Sequence, residues 1–452
     1  MGVELGEKER ASVILIGFFD QTSGAYCLRV LDVIQPLEDA ETTELTCLIE
    51  TLKKFEIPVE NLAVFYSNLV DREQSNVFTL GLKAMKPSMV SLCGLVSLTA
   101  QACHEGLTAT GIYDQVLQLI RKLSLHTSSS ASNDALKQLF SDLAKLDTNP
   151  PLSTQSLLFI RTVCKISNRW STLTKLFGSQ VVEEEGMGQI HSLLIDRRLR
   201  LMFMFLSFAL EPLAIFQETL EKGADLGQML HDSSGLLQVY TSSFLQLTAI
   251  ARYLRKYNEA LLNDKAEHLP IGKVKVGQQV EDFLSLHKVE LVDLLEDFHK
   301  STVSFYAAVT SSIVKSLPLT TVAFVNMAAI LKPDGRLEVT SRTVTDIATQ
   351  MGICQNPEEV TQLSDDFLEY QLCEDVDSQL DVAQHWRGAL RIMGKSSMFS
   401  KLILSLMAFP RALKEDQVFA QVCIRNVLSL EDITPVVFEI NIVAEVSCNF
   451  EI

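Results

Sequence analysis

The sequence predicts an α/β fold joined to a mostly helical part, in which a mixed sheet is split by a long, all-helical insertion. Strand-like segments separated by turn residues fill the first hundred residues, helical apolar spacing dominates the middle, and an alternating apolar and polar segment lies near the end. From these changes we expect a first part of the sheet domain at residues 1–97, an insertion at 98–395 and a closing part at 396–452.

Strand patterns with one helix among them fill the N-terminal part of the sequence. Residues 12–18 and 26–34 are apolar and β-branched, and the turn composition of residues 20–24 between them predicts a β-hairpin. Residues 40–55 place apolar side chains at helical spacing and predict a helix that ends before Pro58. Further strands are predicted at residues 62–66 and 89–96.

Helical apolar spacing continues through most of the remaining chain. Helices are predicted at residues 112–126, 134–145, 154–165, 190–221, 234–262, 278–298, 302–316, 320–331, 344–351, 361–373, 398–408 and 412–429. An alternating segment at residues 436–446 predicts a half-buried strand. The sequence has no fixed repeat period, which argues against the alternative of a repeat-type helical scaffold.

Composition and charge narrow the possible functions. The apolar fraction of 47% excludes a disordered chain. The net charge of -17 disfavours nucleic acid as the main partner, because domains that grip phosphates usually present a basic face. The densest basic run, Arg197–Arg200, is interpreted as a solvated helix face rather than a phosphate site. The apolar run at residues 201–210 is too short to span a bilayer, so we predict a buried core helix and no membrane contact.

The nine cysteines are scattered through apolar segments, a pattern typical of buried, reduced thiols in the cytosol or nucleus. Cys93, Cys103 and His104 form one cluster of metal-ligand types, which leaves a zinc site as an alternative. No second pair completes four ligands, so we predict neither a metal nor a cofactor.

Several segments, in shared order, resemble the hAT family of transposases and their domesticated descendants. These proteins join a ribonuclease-H-like fold, a helical insertion and a C-terminal dimerisation region. Residues 17–68 look like the family's second and third strands, first helix and fourth strand, and residues 85–107 look like its segment with a cysteine and a histidine. Residues 167–177 resemble its Arg-Trp motif, residues 190–223 the helix pair after it, and residues 385–422 its dimerisation signature.

The resemblance implies a nuclease site in which three acidic side chains hold two divalent metals. The strand for the first acidic residue is expected to be missing from this chain or reduced to residues 3–5. Ser67 and Asn68 stand at the second position, and Asp416 is the shortened remnant of the third. A different set of Asp20, Asp71 and Asp416 is disfavoured because Asp20 belongs to a turn. We therefore predict that the chain is not an enzyme.

The Arg-Trp motif remains intact as Arg169 and Trp170. In active members of the family this tryptophan stacks on a DNA base, which needs an exposed ring beside a cationic surface. The alternative is a buried tryptophan that fixes the insertion to the sheet, and the acidic composition favours this alternative.

The resemblance thus implies a homodimerising, partner-binding platform in the nucleus, within a chromatin or transcription regulator. We expect the partners to be a second copy and other nuclear proteins, with DNA bound only weakly or through domains outside this chain. The dimer face is predicted to comprise Trp386, Leu390, Met393, Phe399, Leu402, Leu406, Phe409, Val418 and Phe419, with intramolecular core as the alternative for these residues. The alternative function is a DNA-binding or residual nuclease module that works with an upstream zinc finger.

Overall fold

The computed structural model shows a predominantly helical chain with one mixed sheet. It describes residues 10–20, 22–34, 44–67, 80–93, 98–128, 156–180, 185–222, 226–287, 291–316, 327, 329–373, 380–394, 397–408 and 437–445. The chain forms two compact units, which are treated separately below. The sheet unit comprises Met1–Leu95, Glu221–His231 and Ser316–Ile452, and the helical unit comprises Val96–Leu220 and Asp232–Lys315.

The sheet has the strand order β2-β1-β5-β3-β4. Its strands are β1 (Arg10–Asp20), β2 (Ala25–Ile34), β3 (Leu62–Ser67), β4 (Val90–Cys93) and β5 (Val437–Glu445). β1 and β2 form the predicted hairpin, and β3 pairs with β4 in parallel. The C-terminal strand β5 lies between the two pairs, parallel to β1 and antiparallel to β3. The last predicted strand is therefore the central strand of the sheet.

Local hydrogen bonds fix the turn of the β1–β2 hairpin. The Asp20 carboxylate accepts hydrogen bonds from the Thr22 backbone N–H at 2.9 Å and from the Ser23 hydroxyl at 2.7 Å. Gly24 closes the turn with a φ of 69°, and a Cβ atom there would lie 2.7 Å from Cδ of Arg387. Glycine suits this position because it adopts positive φ without steric cost and leaves room for that side chain.

The helix α1 (Glu44–Lys54) packs on the sheet and lies within the range predicted for it. Leu48 and Leu52 lie four residues apart on one face of α1 and are buried against Ile14 and Phe65 of the sheet. An ion pair joins the C-terminal end of α1 to β2, because Lys54 Nζ lies 3.2 Å from Asp32 Oδ2.

The described residues of the helical unit and its boundaries contain a succession of helices. They are α2 (Leu98–Ala109), α3 (Tyr113–Ser128), α4 (Ser156–Gln180), α5 (Glu185–Ile195), α6 (Arg197–Ala209), α7 (Glu211–Glu221), α8 (Leu226–Phe244), α9 (Leu247–Lys256), α10 (Ala260–Asn263), α11 (Gln278–Leu286) and α12 (Val292–Ser316). The range 190–221, predicted as helical, is divided into α5, α6 and α7. Asp196 caps α6 by accepting from the Arg198 and Leu199 N–H groups, and Pro212 lies in the first turn of α7.

Aromatic side chains fill the core of the helical unit. The Phe205 ring meets Phe305 and Tyr306 edge-on, with centroid distances of 5.4 and 5.5 Å. The Tyr240 hydroxyl, also buried, donates a hydrogen bond to the Ala209 carbonyl at 2.8 Å. Buried tyrosines need such partners because an unsatisfied hydroxyl in the core is costly.

One described stretch, Arg197–Leu220, is long and apolar enough to cross a membrane by length and composition. The core helix of a globular protein passes the same test, and 56% of the most apolar window of this stretch is buried inside the protein. Within it, Leu201, Phe203 and Leu206 are buried. The prediction of a buried core segment at residues 201–210 is confirmed for these side chains.

Four capped helices complete the sheet unit. They are α13 (Ser341–Gln350), α14 (Pro357–Leu372), α15 (Val382–Met393) and α16 (Met398–Met407). Asn356 accepts from the Glu359 N–H at 2.9 Å at the start of α14, and Asp381 accepts from the Ala383 N–H at 3.0 Å at the start of α15. These helices group with the sheet, so the helical unit ends at Lys315 rather than at the predicted residue 395.

Candidate functional site

The position of the second predicted acidic residue lies in a row of paired residues across the sheet. Asn441 on β5 is paired with Ile14 on one side and with Ser67 on the other, and Ser67 is paired with Cys93. A pair of divalent metals for nuclease chemistry needs several carboxylate ligands at such a place. Isoleucine, asparagine, serine and cysteine have no carboxylate, so the side chains of this row do not fit a two-metal site. Asn68, Asp71 and Asp416 lie outside the described residues.

The carboxylates of the hairpin have local partners. Hydrogen bonds from Ser23 and Thr22 lower the pKa of Asp20, which agrees with the turn role predicted for it. Asp32 forms the ion pair with Lys54. Among the described residues, no group of three His, Cys, Asp or Glu side chains could hold a metal ion.

The predicted zinc alternative receives little support from Cys103 and His104. Cys103 is buried, and this burial raises the pKa of its thiol to about 12. The His104 ring packs edge-on against Tyr113, with 5.1 Å between the ring centroids. Cys93 belongs to β4 of the sheet unit.

The Arg-Trp motif lies on α4, and its two side chains have different environments. Trp170 is 2% exposed, and its indole Nε1–H donates to the Leu194 carbonyl at 2.9 Å. Its ring centroid lies 5.2 Å from that of Phe203, while Arg169 is exposed. A ring buried in this way cannot stack on a DNA base, so the core alternative accounts for Trp170. It packs against other helices of the helical unit, rather than onto the sheet as that alternative had it.

Most of the described residues of the predicted dimer face are core residues. Five of them are buried within the single chain: Trp386, Leu390, Phe399, Leu402 and Leu406. Side chains already covered by their own chain offer no surface to a second copy, so the intramolecular alternative accounts for these five. Met393 is half-buried, and Phe409, Val418 and Phe419 lie outside the described residues. Helical apolar spacing marks a buried face without revealing which molecule covers it.

An aromatic cluster on α14, α15 and α16 surrounds Trp386. The indole Nε1–H donates to the Leu331 carbonyl at 2.9 Å, and the ring stacks on Tyr370 with 5.2 Å between centroids. The Tyr370 hydroxyl is hydrogen-bonded to Nε2 of His385 at 2.8 Å. The Phe399 ring lies against the rings of Tyr370 and Trp386. Burial raises the pKa of Tyr370 to about 12. The polar atoms of this core are thus paired, as a stable buried network requires.

One half-buried carboxylate ties α14 to the beginning of α16. Asp366 Oδ2 accepts hydrogen bonds from the Ser397 hydroxyl at 2.8 Å and from the backbone N–H groups of Met398 at 2.6 Å and Phe399 at 3.3 Å. An anion at a helix N-terminus satisfies N–H groups that have no partner within the helix. These three hydrogen bonds fix the position of α14 relative to α16, and both helices pack around Trp386.

The outer surface of the same helices forms an open groove. Asp365, Leu368, Glu369 and Leu372 follow one another along one stripe of α14, opposite Ile392 and Met393 of α15. Tyr370 and Cys373 complete the lining of a volume of about 480 Å³. We call this surface the α14–α15 groove.

Three large apolar side chains in the α14–α15 groove are half or more exposed: Leu368 at 52%, Leu372 at 72% and Ile392 at 51%. The sequence predicted a helix at residues 361–373 but not the groove beside it. A signal was present, since Leu363, Phe367 and Tyr370 already supply a buried stripe and Leu368 and Leu372 lie outside it.

Comparison with known proteins identifies no relative of this chain. No protein-family model matches the chain, and no curated protein or solved structure matches it. Function is therefore inferred from the positions and surroundings of the chain's own residues.

Proposed function

We propose that this chain is a catalytically inactive, transposase-derived module that acts in homodimerisation and protein–protein interaction within a nuclear chromatin or transcription regulator. The observation that carries the protein–protein interaction part of this proposal is the α14–α15 groove. Its apolar side chains are exposed although the aromatic core directly beneath them is closely packed and hydrogen-bonded. Exposed apolar side chains that together line one concave surface favour an interaction site.

The order of elements in the sheet supports a transposase origin. A hairpin is followed by a helix and by two parallel strands, as in the ribonuclease-H-like fold. In that fold the first strand lies between the hairpin and the fourth strand and runs antiparallel to the hairpin strand beside it. Here β5 takes the same place but runs parallel to β1. The central strand is therefore reversed, and the family's first acidic position cannot be carried over to it.

The residues at the sheet centre support the absence of catalysis. Ser67, Asn441 and Cys93 occupy adjacent register positions where converging carboxylates would be needed. The homodimer requires a surface other than the five buried side chains of the predicted face. Sedimentation velocity over a wide range of protein concentrations tests it, and a concentration-independent monomer would remove homodimerisation from the proposal.

A cleavage assay separates the proposal from the nuclease alternative. We expect no strand cleavage when the full chain is incubated with linear or hairpin DNA and Mg²⁺ or Mn²⁺. Cleavage that depends on the metal and disappears in Asp416→Ala would instead favour a residual nuclease. Salt-dependent DNA binding by this chain alone would favour the DNA-binding alternative.

A further inference from the structure

We infer that the α14–α15 groove binds a basic amphipathic helix supplied by a partner protein. This inference rests on the proposed interaction function and extends it by specifying the chemistry of the partner. It rests on the shape of the groove, the charge along its rim, and the hydrogen bonding of the backbone groups in the two helices that form its walls.

The shape of the α14–α15 groove fits a helix. Leu368 and Leu372 are separated by one helical turn on one wall, and Ile392 and Met393 form the other wall. A volume of about 480 Å³ accommodates a few apolar side chains, such as those that a helix projects at positions i, i+3 or i+4, and i+7. Both walls are helices whose backbone groups are largely bonded within each helix. They offer no strand edge to an extended peptide.

The exposed charges along the α14–α15 groove favour a partner of opposite sign. One cation, Arg336, lies against the lining, where it is half-buried and donates a hydrogen bond to the Cys373 carbonyl at 2.8 Å. Asp365 and Glu369 alternate with the two leucines along the stripe, and both carboxylates are exposed. No salt bridge joins either of them to another described residue. A partner helix with Lys or Arg beside its apolar residues would meet these carboxylates, and the aliphatic stems of those residues would cover the leucines.

The same charges disfavour other occupants. A second copy docked through this groove would repeat its acidic rim on both sides of a two-fold interface, and like charges placed together oppose association. The net charge of -17 adds to that repulsion. DNA is disfavoured because its phosphates would face Asp365 and Glu369. The observations therefore favour a separate, basic partner.

The test uses the full chain and two synthetic helical peptides of about 18 residues, long enough to retain helicity. Both carry leucines at helical spacing, and one has flanking lysines where the other has glutamates. Fluorescence anisotropy measures their affinities. We expect the lysine peptide to bind about ten-fold more tightly at low salt, and the difference to shrink as NaCl rises from about 0.05 M to about 0.5 M.

Variants of the groove distinguish a specific binding site from a surface that binds apolar peptides nonspecifically. The double variant Asp365→Lys with Glu369→Lys should reverse the preference, so that the glutamate peptide binds more tightly. Leu372→Asp should weaken the lysine peptide by about ten-fold or more, because it removes apolar contact. Leu125→Asp is the matched control, since Leu125 is 74% exposed on α3 in the helical unit, and it should change nothing. Circular dichroism verifies that each variant is folded.

The groove also contains an internal reporter. Cys373 is half-buried in its lining, so the bound lysine peptide should slow alkylation of that thiol as followed by peptide mass spectrometry. Cys164, half-buried in the helical unit, is the matched control and should react at an unchanged rate.

Two results would overturn the inference. One is equal affinity for both peptides together with no effect of the charge reversal. The other is a concentration-dependent dimer that Leu372→Asp dissociates, which would make a second copy the occupant while leaving the interaction function in place. Failure of the proposed function itself would be visible separately, as metal-dependent DNA cleavage.

Discussion

The two tryptophans of the chain are held in the same way in two different regions. Trp170 in the helical unit donates its indole N–H to the Leu194 carbonyl, and Trp386 in the sheet unit donates to the Leu331 carbonyl, each at 2.9 Å. Both rings are buried and packed against another aromatic ring. The sequence predicted a dimer contact for Trp386 and favoured a buried ring over a DNA contact for Trp170, and in both regions the tryptophan holds its own unit together.

The outer surfaces of the two regions differ. On α4, which carries Trp170, the exposed positions include Arg161, paired with Glu218 at 3.0 Å, and also Arg169 and Lys175. On α14 and α15, which carry Tyr370 and Trp386, the exposed positions include those that line the apolar and acidic α14–α15 groove. A buried tryptophan therefore does not indicate where a partner binds.

The largest expected effect comes from removing either ring. Trp170→Ala and Trp386→Ala should each lower the free energy of unfolding by about 3–5 kcal/mol, since each leaves a cavity and an unpaired carbonyl. Urea denaturation followed by circular dichroism measures both. If Trp386→Ala left the stability unchanged and abolished self-association, Trp386 would be an interface residue and the comparison would fail.

Asp366→Ala should have the next largest effect and would sharpen the comparison. It removes three hydrogen bonds that reach from α14 to the start of α16, so we expect a loss of about 2 kcal/mol. Asp196→Ala, the matched variant near Trp170, removes only a local helix cap and should cost about 1 kcal/mol. If urea denaturation showed the same loss of unfolding free energy for both variants, the hydrogen bonds between α14 and α16 would stabilise the protein no more than a local helix cap does.

The sequence predicted the elements better than their arrangement. Turn residues predicted the hairpin, because Asp20 and Gly24 act through neighbours in the chain. The central place of β5 and its direction depend on pairing with strands several hundred residues away. An alternating pattern gives the faces of a strand, but neither its neighbours nor its direction.

The candidate site was predicted only in part for a related reason. The spacing of Trp386, Leu390 and Phe399 correctly indicated apolar helix faces, but it could not tell an intramolecular core from a dimer interface. The α14–α15 groove escaped prediction because it depends on how two helices lie side by side. Leu372 and Ile392 become one surface only through that packing.

Tyr370→Phe should have a smaller effect, which depends on pH. Near neutral pH the variant should lose about 1 kcal/mol, since His385 Nε2 loses its hydroxyl partner. Burial raises the pKa of Tyr370 from 10.0 to about 12, so its contribution is fully present below pH 10 and is lost as pH rises towards 12. The stability gap between wild type and variant should therefore close or reverse from pH 10 to pH 12.

Urea titrations at several pH values measure this gap. Phe203, the ring against Trp170, has no hydroxyl, so Phe203→Leu is the control from the other region, and its stability gap should not change over the same pH range. A gap for Tyr370→Phe that stays constant to pH 12 would mean that the Tyr370 hydroxyl is not buried in solution.

The smallest expected effect is that of Arg169→Ala. Arg169 is exposed on α4, and substitutions at such positions usually change the free energy of unfolding by less than about 0.5 kcal/mol. Its neighbour Trp170→Phe should cost about 1–3 kcal/mol by leaving the Leu194 carbonyl unpaired. Anisotropy with duplex DNA adds a functional measurement, in which Arg169→Ala should leave any weak binding unchanged. A several-fold loss of DNA affinity without loss of stability would instead identify the outer face of α4 as a second interaction surface.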